Sequence, residues 1–145
     1  MKLSYWPKYM IARWYHLVGA THRHIGNAYG LRVQYEAAVD DFTRALCWDP
    51  NFAQAYLDRG ILYWRELDHP RRAILDLTTA VTIDPNLSEA LFNRGVAYQQ
   101  LREYAEAIAD FQAYLSEGKH PYWRRYAETM VRELSEWVHN VEAAN

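Results

Sequence analysis

The chain has 145 residues, of which 50% are apolar and 23% are charged, and this composition excludes a disordered chain and one lying mostly in a membrane. A single cysteine, Cys47, excludes an internal disulfide and is typical of a reducing compartment. The formal charge of −2 is uneven, because residues 1–35 carry five Lys and Arg and no acid. A basic, aromatic head therefore precedes an acidic body.

The first predicted element is a helix within residues 1–18. Pro7 suits a first helical turn, and the segment is apolar almost all round, so its helix requires contact on more than one side. Three interpretations stay open: a cap packed on the body, a contact with another protein or a second copy, and a position at an anionic membrane surface. The predicted docking residues of this head are Tyr5, Trp6, Tyr9, Trp14 and Tyr15.

The apolar run that follows, from Met10 to Ala20, is interrupted by Arg13 and His16. It is too short and too polar to span a bilayer, and no small-residue cleavage site follows it. We therefore expect a cytoplasmic protein, with a peripheral membrane contact left open.

From residue 19 onwards, the same residue types recur every 34 or 35 positions, which is the signature of a repeat protein. A glycine is followed by a tyrosine three residues later, and an alanine is followed by a large apolar residue four residues later. The glycines are Gly26, Gly60 and Gly95, the alanines are Ala38, Ala73 and Ala107, and the apolar residues are Phe42, Leu77 and Phe111.

Each period contains two predicted helices. Residues 53–66 place apolar side chains at helical spacing, Pro70 suits the start of a second helix, and Pro85 prevents its continuation. The third period repeats this pattern over residues 88–101 and 104–116, and a further amphipathic helix follows Pro121. Because no single hairpin can bury its apolar face, the hairpins must stack. The predicted units are residues 19–52, 53–87 and 88–121, with a capping helix and tail over residues 122–145.

These recurring residues resemble the tetratricopeptide repeat family. The matching positions include Gly26, Tyr29, Ala38, Phe42 and Pro50 in the first unit, with their counterparts in the next two. The resemblance implies an all-α solenoid of three helical hairpins, with an N-terminal helical extension and a C-terminal capping helix. It also implies protein binding rather than catalysis.

Two arginines depart from the family pattern. Arg59 and Arg94 stand where leucine usually precedes the glycine, and aspartates recur at matching places on the second helices. We predict ion pairs between neighbouring units, Asp41 with Arg59 and Asp76 with Arg94. Separate, solvated charges are the alternative.

No motif for catalysis is found in the sequence. His22 and His24 lack the i, i+4 spacing of a helical metal site, and there is no phosphate-binding glycine loop and no nucleophile elbow. We expect no enzyme activity, no metal and no cofactor. No nucleic acid partner is expected either, because the body is acidic and no groove-reading motif occurs.

The family geometry implies that the first helix of each hairpin lines a concave groove. A protein or peptide partner would lie there, so the leading functional hypothesis is a partner-binding adaptor, scaffold or assembly factor. The alternative is a structural subunit of a larger complex, docked through the aromatic head. The predicted groove residues are Arg23, Asn27, Leu57, Asp58, Ile61, Trp64, Arg65, Phe92, Asn93, Val96, Gln99 and Gln100, and filling of the groove by a terminal helix of the chain itself stays open.

The family resemblance also bears on one class of partner, the C-terminal tails of heat-shock chaperones. Arg23 and Asn27 match the first two positions of the clamp with which many family members grip the C-terminal carboxylate of heat-shock chaperones. Asp58 and Glu89 stand where that clamp has an Asn and a Lys, and Asn93 replaces a basic residue. Because two acids would repel a carboxylate, the sequence predicts that chaperone tails are not partners.

Overall fold

The computed structural model describes residues 7–144, and these residues form seven α-helices and no strand. Tyr5 and Trp6 lie outside the described residues. The predicted all-α fold is confirmed. The helices are α1 (Lys8–Tyr29), α2 (Arg32–Trp48), α3 (Ala53–Arg65), α4 (Pro70–Ile83), α5 (Ser88–Gln100), α6 (Tyr104–Glu117) and α7 (Pro121–Ala143).

The helices pair into three antiparallel hairpins, α1 with α2, α3 with α4, and α5 with α6, and α7 packs against α6. Each second helix also contacts the first helix of the next hairpin, and α3 touches α5 directly. The leading helices α1, α3 and α5 therefore form one layer, and the second helices form another.

The Asp-Pro-Asn segments make the same turn twice. The Oδ1 atom of Asp49 accepts a hydrogen bond from the backbone N–H of Asn51 at 3.1 Å, and Asp84 does the same for Asn86 at 3.1 Å. The proline between them cannot continue a helix. The two turns end α2 and α4 and set the start of the next hairpin.

Small residues let the two helices of a hairpin approach closely. A methyl group built on Gly60 would lie 2.8 Å from Leu77 Cγ, and one on Gly95 would lie 2.9 Å from Phe111 Cε1. Each contact is closer than two carbon atoms tolerate, so an apolar side chain of the second helix packs directly on the glycine.

The first hairpin departs from the predicted register. Gly19, rather than Gly26, meets Phe42, with a built methyl group 2.8 Å from its ring and 3.2 Å from the carbonyl oxygen of Ala38. Gly26 instead lies against Tyr35, 2.7 Å from its ring. The prediction that Gly26 is equivalent to Gly60 and Gly95 is wrong.

The short connection between α1 and α2 explains this register. Only Gly30 and Leu31 separate the two helices, and Gly30 takes the left-handed conformation, with φ of 65°. Because the hairpin turns at Gly30 and Leu31, Gly19 of α1 lies opposite Phe42 of α2. The position of this turn also leaves α1 as one continuous helix across residue 18, the predicted boundary between the head and the first unit. Aligned on Gly19 and Gly60, residues 12–24 of α1 correspond to residues 53–65 of α3.

Two buried ion pairs lie inside hairpins rather than between them. Arg59 donates from Nε and Nη2 to both carboxylate oxygens of Asp76, at 2.7 and 2.8 Å, and its Nη1 reaches Thr43 of the preceding hairpin at 2.8 Å. Arg94 holds Asp110 in the same way, at 2.7 Å for both bonds. The predicted pairing with the preceding unit is wrong, because a threonine lies there instead of a carboxylate.

The first hairpin has no such arginine. Its aspartate, Asp41, is 4% exposed and contacts His22 Nδ1 at 2.9 Å and Arg44 Nη1 at 3.1 Å. A histidine and an exposed arginine thus hold the carboxylate that a buried arginine holds in the other two hairpins.

Candidate functional site

Side-chain hydrogen bonds join the leading helices into a continuous surface, here called the leading-helix wall. Arg23 of α1 donates to Asp58 of α3 at 2.5 Å. The indole Nε1 of Trp64 on α3 donates to Asn93 of α5 at 3.2 Å. Tyr126 of α7 donates to Gln99 of α5 at 3.1 Å, so α7 extends the wall.

Asp58 lies at the centre of a polar cluster on this wall. Its carboxylate is 2.7 Å from His16 Nε2, accepts the bond from Arg23, and lies 3.4 Å from Gln54 Nε2. Burial alone would raise the pKa of this carboxyl, but the hydrogen bonds and charges of His16 and Arg23 outweigh it, and the pKa is lowered. Asp58 is therefore ionised at neutral pH.

The contact of Arg23 with Asp58 repeats the contact of Trp64 with Asn93. Arg23 comes four residues after Gly19, as Trp64 does after Gly60, and the two acceptors each come two residues before the glycine of their own helix. The contacts between leading helices therefore follow the same alignment, on Gly19, Gly60 and Gly95, as the glycine contacts inside the hairpins. Arg23 supplies a cation at a place where the next helix supplies an indole.

The alignment on Gly19 changes which residues of α1 correspond to the chaperone-clamp positions of the family. Counted from Gly19 instead of Gly26, they fall on His16 and Ala20 rather than on Arg23 and Asn27. Asn27 is exposed near the end of α1. The signal that could have shown this is local: the spacing of Tyr15 to Gly19 equals that of Tyr56 to Gly60.

Glu89 contributes a second carboxylate to the wall. Its side chain is half-buried, and within residues 7–144 it takes part in no side-chain hydrogen bond or ion pair. Burial and the neighbouring charge of Asp58 raise its pKa, and Arg23 and Arg65 oppose that rise. The charge of Arg23 thus interacts with two carboxylates, that of Asp58 by direct contact and that of Glu89 through its charge alone.

Three predicted apolar anchors belong to the core. Leu57, Ile61 and Phe92 are 0%, 6% and 8% exposed. The ring of Phe92 stacks on Trp123 of α7 with 5.3 Å between centroids and an interplanar angle of 12°. They stabilise the hairpins and α7, and they offer a ligand almost no surface. Val96 is half-buried in the same cluster as Phe92.

The remaining predicted groove residues form the polar edge of the wall. Arg65 is exposed and donates to Glu66 at 2.6 Å. Gln99 contacts Met130 and Tyr126 of α7, whereas Gln100 is exposed and donates to the backbone oxygen of Trp64 at 3.4 Å. Side chains of α7 therefore cover part of α5, at Gln99 and Phe92.

The head presents an exposed apolar surface on α1. Tyr9 and Trp14 are 59% and 50% exposed, and together with Met10 and Leu17 they form what we call the aromatic stripe. Tyr15 points the other way and packs on the interface of α2 and α3. The predicted docking residues are therefore split between a surface and the core, and Tyr5 and Trp6 lie outside the described residues.

Residues 7–144 contain no group of three or more His, Cys, Asp or Glu arranged to hold a metal ion. Within the same residues, no helix combines the length and apolar character required to cross a bilayer.

The tetratricopeptide repeat family model matches residues 88–119, which cover α5 and α6. The three stacked hairpins share the glycine contact of that unit. The chain carries tetratricopeptide repeats. No curated protein matches its sequence.

Solved tetratricopeptide domains resemble the whole array. The TPR2B domain of yeast Sti1, in its pHsp70 complex, superposes with a TM-score of 0.75 at 21% identity, covering 88% of this chain and 98% of that one. The first TPR of Spaghetti (RPAP3), bound to the HSP90 peptide SRMEEVD, gives 0.69 at 23% identity, covering 86% and 95%. The Arabidopsis OM64 TPR domain gives 0.67 at 28% identity, covering 82% and 98%.

The prediction that excluded chaperone C-terminal tails as partners is wrong. Two of these three tetratricopeptide domains are seen with chaperone ligands, an HSP90 peptide and pHsp70, so such tails are typical ligands of the fold. The prediction treated Asp58 as a bare acid that would repel a carboxylate. In the structure, its charge is buried and compensated by Arg23 and His16.

Proposed function

We propose that this tetratricopeptide domain is an adaptor whose leading-helix wall holds the acidic C-terminal segment of a partner protein. The observation that carries the proposal is the guanidinium of Arg23, which Asp58 fixes on the wall and whose Nε and Nη2 have no hydrogen-bond partner within residues 7–144. Coupling of a partner through a tail requires no catalytic group.

The geometry of Arg23 suits a peptide carboxylate. Its side chain is 28% exposed, and only Nη1 is used, in the bond to Asp58. Within residues 7–144, Nε and Nη2 have no hydrogen-bond partner. A planar guanidinium with a free Nε–Nη2 edge is the donor pair that binds a carboxylate through two parallel bonds.

The similar structures supply the probe for this proposal. The first TPR of Spaghetti (RPAP3) is bound to SRMEEVD, a peptide with three acids among its last four residues. Its 23% identity to this chain supports the shared fold, and the choice of ligand rests on Arg23. The exposed amide of Gln100 offers a polar partner for the rest of an extended peptide.

We expect fluorescently labelled SRMEEVD to bind, and Arg23→Gln to weaken binding about ten- to hundredfold, because hydrogen bonds to charged groups contribute about 1.5–3 kcal/mol. Fluorescence anisotropy measures the affinity, and circular dichroism confirms the fold. Arg32→Gln is the matched control, because Arg32 is 61% exposed on α2 and pairs with Glu36 away from the wall. Equal affinity of Arg23→Gln and the unmodified chain would contradict the proposal.

A second candidate function rests on the aromatic stripe of α1. We propose that Tyr9, Met10, Trp14 and Leu17 dock the domain onto a larger complex, of which it would be a structural subunit. Four large apolar side chains on one exposed helix face, next to Lys8 and Arg13 and with no acid before Glu36, are typical of an interaction surface.

Trp14→Ala should remove partners that copurify from the native cell, as identified by mass spectrometry, while Arg23→Gln retains them. Trp137→Ala is the matched control, because Trp137 is 51% exposed on α7, at the other end of the array. If Trp14→Ala and Trp137→Ala recover the same partners in the same amounts, the stripe is not a docking surface.

A further inference from the structure

Resting on the proposed peptide site, we propose that the carboxylates of Asp58 and Glu89 set how strongly Arg23 attracts an acidic peptide. Asp58 is an internal competitor: it already occupies one side of the guanidinium that a peptide carboxylate would approach from the other. Asp58 and Glu89 would then be specificity-determining residues of the wall.

Burial and three polar contacts hold Asp58 beside Arg23. It is 5% exposed, and besides the 2.5 Å bond to Arg23 it has His16 at 2.7 Å and Gln54 at 3.4 Å. Leaving this place would strand a buried charge, so an arriving peptide cannot displace it at low cost. The peptide carboxylate must bind while Asp58 is still present.

The carboxylates of Asp58 and Glu89 and that of an incoming peptide would all interact with the single guanidinium of Arg23. Arg23 carries one positive charge. The buried carboxylate of Asp58 bonds it directly, and the half-buried carboxylate of Glu89 interacts with it only through its charge. Arg65, the other arginine of this region, already donates to Glu66 at 2.6 Å. A peptide acid is therefore attracted by Arg23, but the two fixed carboxylates weaken that attraction because part of the charge of Arg23 already balances theirs. In a partly buried site such effects are stronger than in water.

The consequence is a filter on the charge of the ligand. Asp58 holds Arg23 in a fixed orientation, which favours bidentate binding, and it also lowers the local positive potential. A ligand that brings only a carboxylate gains little, whereas one that adds hydrogen bonds or apolar contacts elsewhere on the wall still binds. An amide at position 58 would keep a hydrogen-bond acceptor for Arg23 and remove the repulsion.

The test compares Asp58→Asn and Glu89→Gln with the unmodified domain, titrated with SRMEEVD. We expect Asp58→Asn to tighten binding about tenfold and Glu89→Gln about threefold, because each removes one negative charge that opposes a carboxylate at Arg23, and Asp58 lies in direct contact with that guanidinium whereas Glu89 does not. A peptide in which the acidic side chains and the terminus are amides should show no gain. That readout separates a change of charge from a general change of structure.

Asp76→Asn is the matched control. Asp76 is 7% exposed and bound by an arginine, like Asp58, but it lies between α3 and α4 rather than on the wall. It should lower stability and leave peptide affinity unchanged.

The outcomes separate the two proposals. If the unmodified domain binds SRMEEVD and neither variant tightens binding, the role of the carboxylates is overturned and the peptide site stands. If folded protein of all variants fails to bind, the proposed function fails, and this inference with it. Should Asp58→Asn not fold, the threefold gain of Glu89→Gln decides alone, because Glu89 makes no side-chain bond that the fold of residues 7–144 requires.

Discussion

Replacing Phe42 by alanine should lower the free energy of unfolding by about 3–5 kcal/mol, which is the usual cost of removing a fully buried aromatic ring. Phe42 is 0% exposed, and its ring packs directly on Gly19, where a methyl group would lie 2.8 Å away. Urea denaturation followed by circular dichroism measures the loss. A cost below about 1 kcal/mol would be typical of a surface residue and would contradict this core contact.

A double-mutant cycle extends this prediction to the register of the first hairpin. Gly19→Ala should destabilise the domain by about 1–3 kcal/mol, because the added methyl group overpacks the ring of Phe42. In the Phe42→Ala background the cost should largely disappear, since the methyl group then fills the space left by the ring. Gly26→Ala, which meets Tyr35 instead, should add independently to Phe42→Ala. Strong coupling of Gly26 with Phe42 would restore the register predicted from the 34-residue spacing.

Replacing Arg59 by leucine should cost about 3 kcal/mol, because breaking a buried pair leaves an uncompensated carboxylate inside the protein. The side chains of Arg59 and Asp76 are 16% and 9% exposed, and two short bonds join them. Burial alone would lower the pKa of Arg59, but the bonds to Asp76 outweigh it and raise the pKa, so the pair is fully charged. Chemical denaturation at neutral pH measures the effect.

The control for Arg59 is the paired replacement of both residues by leucine. Removing the carboxylate together with the arginine should recover most of the lost stability, since two apolar side chains of similar volume can replace a buried ion pair at little cost. Arg94→Leu should repeat the single effect, because Arg94 holds Asp110 with the same geometry. A loss of only a few tenths of a kcal/mol for either arginine would identify solvated surface pairs instead.

The candidate site shows where prediction from the sequence failed. Leu57 and Phe92 lie on the leading helices, and family geometry placed them on the groove. The structure buries both, because α3 packs closely on its neighbours and α7 lays Trp123 over Phe92. Apolar periodicity marks a helix face that needs cover, but it does not say whether a ligand or the chain itself supplies that cover.

The pairing of Asp58 is a second such failure. Its partners, His16 and Arg23, are 42 and 35 residues away in the chain, and only the stacking of α1 on α3 brings them together. The sequence showed an acid where the clamp has an amide, and electrostatics then predicted repulsion. The same charge, once compensated, becomes a group that orients Arg23.

The sequence by itself determined the period of 34 to 35 residues, the helical hairpins and most helix ends. These features depend on local chemistry: apolar spacing, a proline that stops a helix, and a glycine that lets two backbones approach. The register of the first hairpin was decided by the tertiary structure alone. Gly19 and Gly26 are seven residues apart, about two helical turns, so they share one face of α1, and either could meet Phe42. The two-residue connection after α1 and the packing against α2 select Gly19 as the contact of Phe42. The same register places Arg23 beside Asp58 on the wall.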